Sequence, residues 1–78
     1  MVVPIYADPA GGLHLVPPPH HRLVAYVQAP EGSRISEARG IGWHLAVPAA
    51  SDGSQHRAWA ASLVLSAAHE LSQGFRLV

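Results

Sequence analysis

The chain has no cysteine, no lysine and few charges of any kind: 13% of its 78 residues, with five arginines set against five carboxylates. Without cysteine there is no disulfide framework and no thiolate-held metal, so so short a chain must fold on its apolar groups alone. Without lysine, and at a formal net charge of +0, it lacks the cationic excess on which phosphate binding and nucleic-acid affinity depend. Long apolar runs are missing too. The longest, Ala58 to Ala68, is broken by Ser62 and Ser66, and a bilayer-spanning helix needs about 20 apolar residues. Met1 to Ala10 holds two prolines and an aspartate but no basic residue, which argues against a secretory signal. The expectation is a soluble, cytoplasmic chain with no membrane partner.

What is present is apolar content. At 49% hydrophobic residues the sequence is too rich in burying groups for a disordered chain. A chain of 8.3 kDa buries only about 60% of its unfolded surface, enough for one core and a single small α+β domain over residues 1–78. The usage of Ala, Pro, His and Arg without Lys is that of a GC-rich coding sequence, bacterial or viral.

Val2 to Tyr6 is β-branched and aromatic and reads as a strand, with Pro4 confining it to an edge. Asp8-Pro9-Ala10-Gly11-Gly12 is a turn cluster, and Leu13 to Val16 returns as the second arm of a hairpin. Pro17, Pro18 and Pro19 form a stiff connector. Leu23 to Val27 is apolar on both faces and predicts a central strand. Pro30 to Ser33 is a turn, Arg34 to Arg39 is a strand start or a loop, and Gly40 and Gly42 mark a bulge or bend. Ile41, Trp43, Leu45 and Val47 alternate with Gly42, His44 and Ala46, which predicts a half-buried strand with Trp43 in the core.

From Gln55 to Gln73 there is no proline or glycine, and the alanine, leucine and valine content favours helix. Asp52 or Ser54 is placed to cap its start and Gly74 to end it. The apolar tail Phe75 to Val78 is expected to dock on the sheet or on a partner. The fold class that follows is α+β: an antiparallel β-meander of three or four strands packed against one C-terminal α-helix.

Taken as a helix with Trp59 at zero, the residues from Leu63 round to Leu65 fill an apolar arc of about 200°, wider than the roughly 100° one sheet face covers. The excess is covered either by loops and the Phe75–Val78 tail or by a second copy or partner on a face of Ala60, Ala61, Val64 and Ala68. That face is small enough for close helix approach, with Arg57 and Trp59 on its edge and Trp59 either capping the core or anchoring the partner. The stretch Gly53-Ser54-Gln55-His56-Arg57-Ala58 and the helix after it resemble the end of a double-stranded RNA-binding domain. Gln55 and His56 stand where that family has lysines, and Trp59 replaces a further basic position. The resemblance implies a sheet-plus-helix nucleic-acid surface, which the missing phosphate contacts weaken.

Histidine is the abundant functional residue, six in all. His14, His20, His21 and His44 converge only if the first hairpin lies beside the strand that carries His44, and their spacings match no zinc signature. Sequence neighbours such as His20 and His21 point apart in an extended chain. His56 and His69 fall on different sides of the expected helix. The sequence therefore assigns no metal and no cofactor, and reads most of the histidines as solvated surface groups. Protonating them below about pH 6.5 adds positive charge, so low solubility near neutrality should be relieved in mild acid. No G-x-S-x-G elbow and no H-E-x-x-H pair is present. The reading is a small, non-enzymatic, self-associating protein-binding module of regulatory, inhibitory or accessory type. Its alternatives are a nucleic-acid-binding domain and a histidine-based metal-binding protein.

Overall fold

The computed structural model describes residues 1–16, 19–49, 55–70 and 75–77. They form two antiparallel sheets and one helix, in the order β1 (Val2–Ala7), β2 (Leu13–His14), β3 (Arg22–Gln28), β4 (Arg34–Ala38), β5 (Gly42–Pro48), β6 (His56–Trp59), α1 (Ala61–Glu70) and β7 (Arg76–Leu77). The four-stranded sheet runs β2-β1-β3-β7 and the three-stranded sheet β4-β5-β6. The α+β class stands, with the strands divided between two such sheets.

The first hairpin follows from its turn chemistry. Gly11 N–H donates to the Asp8 carbonyl at 2.9 Å, Asp8 N–H donates to the Gly12 carbonyl at 2.9 Å, and Gly11 takes φ 93°. Proline just after Asp8 and a left-handed glycine at the close make the three-residue hairpin loop that a type I turn with a bulge requires. β1 is not an edge strand. It lies between β2 and β3, but β2 reaches only Tyr6 and Ala7, so among the described residues no strand flanks Pro4 on that side. Met1 and Ala29 exchange both backbone hydrogen bonds, at 2.7 and 3.3 Å. Alternation from there makes Pro4–Tyr26 a pair without ladder bonds, the position where a missing N–H costs nothing.

β3 is interior to its sheet as expected, but it is not buried on both faces. Val27 is buried, whereas Leu23, Val24 and Tyr26 are exposed. The reason is architectural: among the described residues, helix and second sheet cover one face only. The turn after it closes with Ser33 N–H on the Pro30 carbonyl at 3.2 Å and Gly32 at φ 88°, which puts proline first in the turn and leads into β4. The ambiguous Arg34 to Arg39 segment is therefore mostly strand. Gly40 and Gly42, at φ 83° and 78°, build the β4–β5 turn, and Ile41 belongs to that turn, not to the strand.

Two further expectations are overturned. Trp43 pairs with Glu37 near the β4–β5 turn, beyond the reach of the core, and is 47% exposed. It shares a face with Leu45, but a face is buried only as far as something packs on it. The expected helix from Gln55 also fails over its first turns: His56–Trp59 is a strand, and the helix begins at Ala61. β5 needs a hydrogen-bonding neighbour on its second edge, and pairing Leu45 with Trp59 and Ala46 with Ala58 outweighs the helix propensity of a few alanines. The likeness to an RNA-binding domain, which needs a helix opening near Ser54, is lost with it. Asp52, Ser54 and Gly74 lie outside the described residues, and Asp52 and Ser54 are too far upstream to cap a helix that starts at Ala61.

The core joins all parts. Val3, Ile5 and Val27 come from the first sheet, Leu15 from the segment just after β2, Leu45, Val47 and Trp59 from the second sheet, and Ala61, Val64 and Ala67 from the helix. The helix touches β2, β3 and β7 on one side and β5 and β6 on the other, so it seals the seam between the sheets. Its buried stripe at three-residue spacing is the helical period at work, and each fully buried aliphatic side chain contributes about 1.5–3 kcal/mol. The tail docks as expected. Phe75 enters the core 6.1 Å from the Trp59 ring in edge-on contact, and Arg76 and Leu77 pair with Gln28 and Val27.

Candidate functional site

The sequence places a partner face on Ala60, Ala61, Val64 and Ala68, edged by Arg57 and Trp59. In the fold these residues do not form one surface. Val64 is 0% exposed, Ala61 and Trp59 are buried in the same core, and Ala68 is half-buried against it. Arg57 and Ala60 are exposed. The wide apolar arc narrows because Trp59 and Ala60 precede the helix and the chain itself encloses Ala61, Val64 and Ala67, which leaves Leu63, 52% exposed, on the solvent side. Arg57 has an internal role: its guanidinium lies 4.8 Å from the centre of the Trp59 ring and caps the core there. The indole Nε1 of Trp59 is buried with no hydrogen-bond partner.

An unsheltered apolar surface exists elsewhere. In β1, alternation turns Val3, Ile5 and Ala7 inward, so Val2, Pro4 and Tyr6 point outward. The register sets Pro4 beside Tyr26 and Tyr6 beside Leu23, which puts these side chains on one outer face. Val2, Leu23 and Tyr26 are 49%, 45% and 44% exposed. The strand pair slips by one residue between Ile5 and Tyr6, and Val24, the extra residue, is exposed as well. Periodicity in β1 signals this face. Its pairing with β3 depends on register, which the sequence does not display.

At the hairpin end of the same face, Tyr6 pairs with His14. The His14 Nε2–H donates to Asp8 Oδ2 at 2.7 Å, and Gly12 N–H donates to Asp8 Oδ1 at 2.8 Å. Those two bonds hold the Asp8 carboxyl below its ordinary range, the imidazole contact contributing most. His20, in left-handed backbone at φ 71°, turns the chain so that His21 meets His14, ring centres 4.3 Å apart and tilted 31°. His21 Nδ1 is buried without a hydrogen-bond partner, a condition that costs about 1–3 kcal/mol. Asp8, His14 and His21 offer donor atoms that all lie within 4.8 Å of one another.

Asp8 reads from sequence as a turn residue bonding local backbone, and it does so through one oxygen; its second oxygen is what spacing alone misses. His44 does not join this group. It sits in the other sheet and is buried instead of solvated. A proton on Nδ1 bonds the Gly42 carbonyl at 3.0 Å, and Nε2 pairs with the Ser36 hydroxyl at 3.2 Å. His20, His56 and His69 are exposed.

Among the described residues no pocket opens and no helix is long and apolar enough to cross a membrane. Compared with known proteins, the chain matches no family model, no curated protein and no solved structure.

Proposed function

We propose that this chain is a non-catalytic binding module that docks through the outer face of its four-stranded sheet, and that a second copy of the chain is the occupant. The observation that carries the reading is the cluster of Val2, Pro4, Tyr6, Leu23 and Tyr26, side chains brought by register to one solvent-facing surface. Contiguous apolar surface on a small monomer is unfavourable in water, and covering it is the driving force for association. Tyrosine suits such a place, with an apolar ring and a hydroxyl that tolerates a wet rim.

A second copy fits the charge balance. The strand residues of the patch carry no charge, and the chain as a whole is formally neutral, so two copies meet without the repulsion that keeps charged proteins apart. A strongly charged partner gains nothing from this surface. A face meeting its own copy about a two-fold axis is self-complementary by symmetry.

Sedimentation near neutral pH tests the reading. The wild-type chain is expected to sediment as a dimer at about 100 μM, and Leu23→Ser with Tyr26→Ser to shift it to monomer with an unchanged circular dichroism spectrum. A wild-type monomer at that concentration, or a double variant that dimerises as well as the parent, overturns it.

A further inference from the structure

We infer that Asp8, His14 and His21 form a binding site for one divalent transition-metal ion of the zinc class. The inference is independent of the docking face. It rests on donors from three separated segments, a turn, a strand and the approach to β3, converging on one point.

The donor set is two imidazoles and a carboxylate, the combination that suits zinc and its neighbours and not the hard oxygen-seeking ions. All three donor atoms lie within 4.8 Å of one another. Around a tetrahedral ion with bonds of about 2.1 Å, donors stand roughly 3.4 Å apart. The Asp8–His14 contact at 2.7 Å is then the metal-free form, in which a proton holds the two donors together. Opening that pair by less than about 1 Å, and drawing His21 in from a separation of up to 4.8 Å, admits an ion in place of the proton.

The surroundings favour occupancy. Asp8 Oδ1 is already held by the Gly12 N–H at 2.8 Å, which fixes the carboxylate and leaves Oδ2 aimed at His14. This is the kind of second bond that orients a metal ligand. A Cβ on residue 12 would come within 2.7 Å of Asp8 Oδ2, so glycine there keeps the carboxylate in place. His21 brings a ring nitrogen that is buried and without a partner, and a buried polar atom in that state is one that a ligand satisfies. Three protein donors leave one tetrahedral position open, the pattern of an ion that takes a further ligand from outside the chain.

The test is a zinc titration of the tag-free, chelator-stripped chain, followed by calorimetry and by the imidazole resonances of the histidines. One ion per chain is expected, with shifts at His14 and His21 and none at His44, His56 or His69. His21→Ala and His14→Ala should each weaken binding by about tenfold or more, whereas His56→Ala should leave it unchanged. The resonance measurement uses the wild-type chain, so it decides the matter even if a variant loosens the hairpin. Absence of saturable zinc binding overturns the inference. So do shifts confined to His56 or His69, or a double His14→Ala, His21→Ala variant that binds as the parent does.

Discussion

The four-stranded sheet turns Val3, Ile5 and Val27 inward and leaves Val2, Leu23 and Tyr26 in water, whereas the three-stranded sheet buries Leu45 and Val47 on one side and His44 and Ala46 on the other. Both sheets are short, antiparallel and rich in apolar residues, so polarity alone does not decide which faces close. In the smaller sheet the second face closes by local means. Ala46 is small and flanked by Arg34 and Ala58, and His44 finds both of its ring bonds within its own hairpin. In the larger sheet the outer residues are bulky, their only polar groups are the tyrosine hydroxyls, and among the described residues they meet no covering element. A face stays open where no described element packs on its side chains.

The two tryptophans give the sharpest way to break this contrast, because they are chemically identical and sit in the same sheet. Trp59→Ala empties a core position beside Leu45 and Phe75 and is expected to cost about 3–5 kcal/mol. Trp43→Ala, near the open end of the same sheet, should change stability by less than about 0.5 kcal/mol. Urea denaturation of the two variants measures both, and comparable losses would mean that the core extends to the β4–β5 turn.

A smaller effect separates the two turn glycines of the first hairpin. Gly11→Ala forces a side chain into left-handed backbone at φ 93° and should cost about 1–2 kcal/mol. Gly12→Ala acts differently: its methyl meets the Asp8 carboxylate and displaces it from His14. The expected sign is a changed His14 imidazole resonance in the Gly12 variant, with His44 unmoved in either.

The smallest expected effect is acid dependence confined to the larger sheet. Asp8 binds its proton less readily in the folded hairpin than in the unfolded chain, chiefly through its bond to His14. Its contribution is therefore present above the ordinary carboxylate range and is lost as pH falls through the lowered folded value. Amide exchange in the β1–β2 hairpin should quicken in that acidic window, and Asp8→Asn should abolish the change. An equal acid response in the β4–β5 hairpin would show that something other than Asp8 sets it.

Local chemistry made parts of this molecule readable. The Asp8–Gly12 turn, the hairpin it closes and the docking of Phe75 are each determined by residues within a few positions, or by an apolar group that must leave water. β6 was not readable. Nothing within His56–Trp59 opposes helix, and what decides the matter is the unpaired edge of β5, distant in sequence. The candidate sites fared similarly. Val64 and Ala61 form an apolar face on any helical wheel, but the wheel is silent on which neighbours enclose it. His14 and His21 meet through a left-handed turn at His20, a conformation that the residue type does not announce.

Pro4 bears on how the proposed pairing of copies would avoid uncontrolled growth. Among the described residues the flank of β1 opposite β3 is open beyond β2, and an incoming strand would look there for a row of amide donors. It would find a gap at the pyrrolidine nitrogen, so zipper-like extension into fibrils is interrupted at its first rung. In the proposed pairing, association is thereby steered from rim to face, where a pair closes on itself and stops.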